Sequence, residues 1–480
     1  MKFLQNLIKK LLEKPLWLIL AVAFLLRVLY LILNYPLWWD AHVYLGMGKF
    51  LFSGGKIGMW EPFRPLIHPL LLGIAWKMGL NTIIMGKLLD LLFSLASVYL
   101  LYKIAEKAYS KTAAIISSII FALSPVFIMF TGLLLTEPLA ILFGLIGIYF
   151  LVKETSAKNY FWGGLFLGLS FLTKFPQGIL LAAVAISLLL TKTRPEEQLH
   201  SSLLKKLSLL FYLSFGFLIP VMPYLILNYI LYQDIFLPFT SGSWIITTAT
   251  WAYNSEWWYY LYWFFVKNPL YLLFFPALYL FYQKKEWHSP QKSIIIWAAL
   301  LILAYFWYLP RKEVRYVVLA LPFLSLMIGS FINYLYELNR EKKIIKPKAF
   351  WIAFTIVLLL PLPSNLYFER PPTFEKEIRK IVVEHNITGM VLTSDPAFVS
   401  FLDNPIITLD GMEFAPTIYA RERGRYKLLF LGDCDLGCPP QDKACYIHKK
   451  QFLEQIIQEN NPEFTSQYKN CTYMMLTPKT

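Results

Sequence analysis

Residues 16–35 read LWLILAVAFLLRVLYLILNY, and Pro36-Leu37-Trp38-Trp39-Asp40 follows. A run of this length, interrupted by the single cation Arg27, can cross a hydrocarbon layer about 30 Å thick as one helix. The tryptophans at its end belong to the aromatic belt at the water boundary. A carboxylate at that depth is costly unless water or a partner meets it, so Asp40 is a functional candidate.

The pattern recurs along the chain. Of its 480 residues 57% are hydrophobic and 16% charged, with mean hydropathy +0.51, whereas a soluble domain is about 45–50% apolar and about 25% charged. The composition predicts a polytopic α-helical membrane protein. A net charge of +15 would suggest nucleic acid in a soluble chain; here the lysines lie in short loops between apolar runs, which encodes topology. No nucleic-acid partner is expected, and membrane lipids are. Spans are expected at 16–35, 83–102, 113–130, 138–152, 160–173, 177–190, 208–231, 258–282, 293–309, 316–336 and 350–363, about 11 transmembrane helices. The first span carries no cleavage site after it and reads as retained.

Segment 66–80 is short and holds His68, Pro69 and Lys77. Laid on the outer surface, it leaves the cations of 103–111, 153–158, 192–206, 284–292 and 340–348 on the side of the N-terminus; as a span it would send them outside, against the positive-inside bias. The N-terminus is therefore expected in the cytoplasm. Asp40, Glu137, Lys174, the run Arg311–Arg315 and everything after residue 363 then face outward. The expected domains are a transmembrane catalytic part, 1–363, including an outer loop 36–82 with amphipathic helices, and an extracytoplasmic α/β part, 364–480. A prokaryotic plasma membrane is the expected location, with the endoplasmic reticulum as the alternative.

In the tail, helices are expected at 374–384 and 448–459, and strands at 390–393, 406–409, 427–431 and 472–476. It holds all four cysteines, Cys434, Cys438, Cys445 and Cys471. On an outer face they are disulfide candidates, the tight loop 434–445 being the expected staple. A zinc reading with His448 has poor ligand spacing.

An enzyme at that outer surface has no sugar nucleotides and would draw on lipid-phosphate donors. The reaction needs a carboxylate to take the proton of an acceptor hydroxyl, cations for the leaving phosphate, and an apolar groove. Asp40 and Glu137 supply the first, and Arg64, Lys174, Arg311, Lys312 and Arg315 the second. Aromatic spans supply the third.

Four stretches carry a resemblance. Asp40-Ala-His-Val-Tyr44 is similar to the first acidic element of the GT-C glycosyltransferases, Arg64-Pro-Leu-Ile-His68-Pro-Leu to their outer-loop segment, and Leu135-Thr-Glu-Pro-Leu139 to their second acidic element. Arg311-Lys-Glu-Val-Arg315-Tyr316, followed by Pro322, resembles their late loop. The order is that of the dolichyl-phosphate-mannose-protein mannosyltransferase and aminoarabinose-transferase branch. The resemblance implies an inverting transferase using a dolichyl- or undecaprenyl-phosphate sugar, with a protein, glycan or lipid as acceptor. Asp40 would be the base, and Glu137 would position the acceptor or base or bind a divalent cation. Glu61 and His68 would hold a metal (Mg, Mn or Zn) or orient the donor. Ala41 departs from the commoner Asp-Glu pair and leaves Asp40 without an adjacent carboxylate. Trp38-Trp39-Asp40 also resembles an oligosaccharyltransferase element, but that element lies in a soluble domain and its following Tyr-Gly is missing here. The competing reading is a flippase for a lipid-linked sugar; it predicts repeated halves and mid-membrane charges, and the notable charges here gather at one surface.

Overall fold

The structure, a computed structural model, describes residues 14–33, 37–191, 199–248, 255–360, 383, 388–409, 411–468 and 470–479. It divides into two compact units.

The first unit comprises Met1–Leu33, Lys87–Gly132 and Thr136–Phe368 and is helical. Five helices are long and apolar enough to cross a membrane: Pro15–Leu33, Thr82–Ala108, Leu203–Tyr232, Pro290–Tyr308 and Leu321–Lys342. Shorter apolar helices stand at Lys111–Ala122, Phe175–Leu190, Pro269–Gln283 and Pro347–Leu359. Two runs expected as single spans are broken. The run 113–130 stops at Ala122, and Ser124 caps a separate short helix, Pro125–Phe130. The run 258–282 is interrupted at Asn268-Pro269. In both, proline removes a backbone donor and pushes the residue before it out of helical geometry.

Arg27 shows how a buried cation is satisfied in this unit. Its Nε donates to Ser94 Oγ at 2.5 Å and its Nη1 to the carbonyls of Ala23 and Ala122. Its guanidinium lies over the Phe127 ring. The helix Glu137–Lys153 returns antiparallel as Ala157–Thr173, whose N-terminus is capped by Ser156, and Ser170 Oγ donates to Ala140 O at 2.7 Å across the pair. On the other side, Gly164 lies on the Leu213 carbonyl and Gly216 on the Phe161 carbonyl, so a Cβ at either would meet backbone. Small residues let these helices approach where no hydrophobic force draws them together.

The second unit comprises Asn34–Gly86, Leu133–Leu135 and Glu369–Thr480. The outer loop, grouped with the spans on sequence, packs here with the tail. It contributes helices α1, Trp39–Phe52, and α2, Ile67–Lys77. At 1.5 Å per residue α2 reaches only about 17 Å, too short to cross. The tail builds a five-stranded sheet of order β2-β1-β3-β5-β4 from β1 Met390–Thr393, β2 Ile406–Thr408, β3 Tyr426–Gly432, β4 Asn460–Tyr468 and β5 Cys471–Pro478. The first three are parallel, while β5 runs antiparallel to β3 and β4. Helices α3, Gly411–Glu422, and α4, Lys443–Glu459, pack through Tyr419, Phe452 and Ile456 on Leu392, Leu429, Leu431 and Leu476.

Helix α3 and strand β4 are absent from the sequence expectations; Pro416 interrupts the helical signal, and the start of β4, Asn460-Asn461-Pro462, reads as a turn. The expected helix 374–384 lies outside the described residues apart from residue 383. Both disulfides form, as Cys434–Cys471 and Cys438–Cys445, with Cα separations of 5.5 and 5.8 Å. The expected 434–445 staple is corrected: strand β5 brings Cys471 to Cys434, and the short loop closes from Cys438.

The outer loop joins the sheet itself. Gly58 pairs with Pro405 in a parallel bridge, its N–H donating to Asn404 O and its carbonyl accepting from Ile406 N at 2.8 Å. A φ of +88°, with the Gly46 carbonyl against its Cα, leaves no space for any other residue there.

Candidate active site

The first acidic candidate opens a helix. Asp40 is the second residue of α1, where the helix dipole favours a negative charge. The turn after Glu61, closed by Arg64 N donating to Glu61 O, brings the Arg64 side chain back to both acids. Nη2 meets Asp40 Oδ1 at 2.9 Å and Nε meets Glu61 Oε2 at 2.8 Å, with side-chain exposures of 17, 15 and 6% for Arg64, Asp40 and Glu61. Tyr44 and Phe63 flank the guanidinium. Burial alone would lower the pKa of Arg64; the charges of Asp40 and Glu61 more than reverse this and hold it well above its ordinary value. One guanidinium thus bridges two carboxylates through different nitrogens, a fork geometry that lysine lacks.

His68 lies beside this cluster, its ring edge-on to Tyr44 at 5.5 Å. Nε2 hydrogen-bonds the carbonyl of Leu134 at 3.1 Å, and Nδ1 is buried without a partner. Burial pushes its pKa down to about 4, so the ring is neutral at pH 7. Leu134 holds φ +56°, a strained conformation for a leucine, three residues ahead of Glu137.

The second acidic candidate also opens a helix. Glu137 is the first residue of Glu137–Lys153 and is buried; Lys174, at the end of Ala157–Thr173, meets its Oε1 at 2.9 Å. Glu137 Oε2 is buried without a hydrogen-bond partner, and so is Gln177 Oε1, one turn beyond Lys174. Both orphan atoms are acceptors, so a hydroxyl or water donor would complete them.

The late cations divide. Arg311 Nε and Arg315 Nε both meet the carboxylate of Glu313, the second at 2.7 Å, and Tyr316 Oη donates to Glu313 Oε1 at 3.2 Å. Lys312 is turned elsewhere: its ammonium donates to Trp307 O at 2.9 Å and Leu309 O at 2.7 Å, capping the end of Pro290–Tyr308. The structure therefore brings together Asp40, Glu61 and Arg64; Glu137 and Lys174; and Arg311 and Arg315 through Glu313. Glu313 lay inside the quoted motif, but its spacing, two residues from each arginine, was the unread signal.

Among the described residues, Glu61 and His68 belong to no group of three candidate ligand atoms within 4.8 Å. Glu61 is held by Arg64 and His68 by a carbonyl, and a guanidinium already supplies the positive charge between the two carboxylates. Among the described residues, the one group of three candidate ligand atoms within 4.8 Å is Asp433, Cys434 and Cys471. Its sulfurs are joined in a disulfide and offer no thiolate. Neither donor set fits a divalent cation.

The family model described as dolichyl-phosphate-mannose-protein mannosyltransferase matches residues 64–227, a segment holding Arg64, His68, Glu137 and Lys174. No curated protein matches the chain. Among solved structures, the archaeal oligosaccharyltransferase AglB from Archaeoglobus fulgidus, in complex with an inhibitory peptide and a dolichol-phosphate, is similar at TM-score 0.59 and 11% identity, over 97% of this chain and 74% of that one. An Archaeoglobus fulgidus oligosaccharyltransferase complex with Zn and sulfate is similar at TM-score 0.52 and 10% identity, over 86% and 67%. ArnT from Cupriavidus metallidurans is similar at TM-score 0.55 and 13% identity, over 95% and 97%. The family model covers less than half of the chain, and the likeness to these solved structures is one of fold.

Proposed function

We propose that this protein is an inverting glycosyltransferase that moves a sugar from a polyprenyl-phosphate carrier to an extracytoplasmic protein, glycan or lipid hydroxyl. The observation that carries the reading is the Asp40–Arg64–Glu61 cluster, in which a carboxylate is paired with a guanidinium and oriented at a helix N-terminus. The family model matched over 64–227 supports it, as does a fold shared with solved membrane transferases.

In the proposed reaction the acceptor oxygen bonds to the anomeric carbon while the bond from that carbon to the phosphate oxygen breaks. Asp40 takes the acceptor proton, and the electron pair leaves with the polyprenyl phosphate. Arg311 and Arg315 meet the charge that develops on it. Glu137 Oε2 accepts from an acceptor or sugar hydroxyl. Arg64 acts on the base rather than on the phosphate, because both carboxylates occupy it. No step is routed through a metal. The about 11 spans, which rest on the apolar runs, the cytoplasmic N-terminus and outward tail, which rest on the charge distribution, and the prokaryotic plasma membrane belong to this proposal. The flippase reading gains no support from the matched family or the shared fold.

The test is release of polyprenyl phosphate from a panel of sugar-phosphoryl-polyprenols by the purified full-length protein, with a membrane extract supplying acceptors. Asp40→Asn is expected to bind donor and lose turnover. Equal turnover in wild type and variant would remove Asp40 as the base.

A further inference from the structure

The proposed base sits on α1, and α1 has a second face. His42 and Lys49 are seven residues apart, about two turns, and so lie on one side of the helix, with Asp40 on roughly the opposite side. Both are buried. His42 Nδ1 hydrogen-bonds Ser400 Oγ at 2.6 Å. The Lys49 ammonium donates to Val399 O at 2.7 Å and Leu402 O at 3.0 Å, and it meets Asp403 Oδ1 at 2.9 Å. These partners form and follow a single short helix, Pro396–Ser400. Gly46, between the two on the same face, leaves space for the Val399 side chain. Trp76 of α2 donates to the same Asp403.

A lysine in a soluble outer loop is ordinarily solvated. Here burial lowers the pKa of Lys49, with Asp403 opposing, and the ammonium caps the carbonyl end of a helical turn. Two polar anchors about 10 Å apart along one face fix both the rotation and the axial position of α1. Gly48 closes the neighbouring face on the Pro69 carbonyl and Gly73 of α2. Whatever holds α1 therefore also aims Asp40 at Arg64.

We propose that Lys49 and His42 are positioning residues through which the C-terminal α/β part holds the catalytic helix, so that this part is a structural support for the base. The inference rests on the transferase reading for its kinetic consequence only. Lys49 reaches the reaction through Asp40, and a displacement of the order of 1 Å at a reacting group can cost roughly 100-fold in rate.

The experiment compares full-length wild type, Lys49→Met and Ser400→Ala in the donor-cleavage assay and in amide hydrogen exchange of residues 40–52. Lys49→Met is expected to lower kcat about tenfold or more with donor KM within about twofold, and to speed exchange in α1. Ser400→Ala, which deletes only a hydroxyl and keeps the inference testable if Lys49→Met does not fold, is expected to shift both in the same direction by less. Unchanged exchange in both variants would overturn the clamp. Faster exchange with unchanged kcat would overturn its positioning role. A wild type that cleaves no donor, with faster exchange in the variants, would overturn the transferase reading and leave the clamp standing.

Discussion

Replacing Arg64 by methionine removes the charge between Asp40 and Glu61 and keeps most of the side-chain volume. At contacts of 2.9 and 2.8 Å, each attraction is worth about 6 kcal/mol at an effective dielectric constant of 20, before the mutual repulsion of the two acids is subtracted. None of the three side chains is more than 17% exposed, so solvent screening removes little. Removing one partner of a buried ion pair costs about 3–5 kcal/mol, because the remaining charge is left unpaired. Arg64→Met should therefore destabilise the unit holding α1 and the sheet by about that amount, lowering its melting temperature by about 10 °C. The assay is thermal unfolding of the purified full-length protein in detergent, read by cysteine-independent fluorescence of the tryptophans. The triple variant Arg64→Met/Asp40→Asn/Glu61→Gln has no orphan charge and should recover most of the loss. A single-variant loss below about 1 kcal/mol, or a triple variant as unstable as the single, would refute the ion cluster as drawn.

His42 and His68 are both pushed down to about 4 by burial, so the unfolded chain binds more protons than the folded one between that value and about 6.5. Their stabilisation is fully present above about pH 6.5 and is lost as the pH falls toward 4, by at most about 3 kcal/mol per histidine; His68→Gln should flatten the pH dependence of the unfolding temperature in that window. The disulfides enclose loops of different length, with sequence separations of 37 and 7. Loop entropy then predicts a loss of about 4 kcal/mol for Cys434→Ser/Cys471→Ser and about 2 kcal/mol for Cys438→Ser/Cys445→Ser, measurable by the same unfolding assay; equal losses would contradict it.

What the chain discloses without its structure follows from the range of the forces involved. Apolar runs are local, so the membrane helices are legible, and so are acids at their edges, because a charge at that depth needs a reason. Runs that contain Pro125 or Pro269 read as continuous on hydropathy and break on hydrogen bonding. Arg64 is legible as a cation and illegible as a bridge, since a pattern that finds charges does not count their counter-ions. The same holds for Arg311 and Arg315 around Glu313, and for Lys312, whose partners are backbone carbonyls with no residue type to read. Lys49 is hardest: its partners lie 350 and 353 residues away, and nothing near it marks it as buried.

The bridge between Gly58 and Pro405 also sets an order of events during synthesis. The loop carrying α1 emerges some 350 residues before the turn that Lys49 caps. At about 5–20 residues per second, this corresponds to roughly 20–70 seconds in which the loop waits with an unmade strand contact and an uncapped lysine. Loop closure over such a distance comes late and slowly. The nascent chain thus carries Asp40 on a helix whose anchoring turn, residues 399–405, does not yet exist.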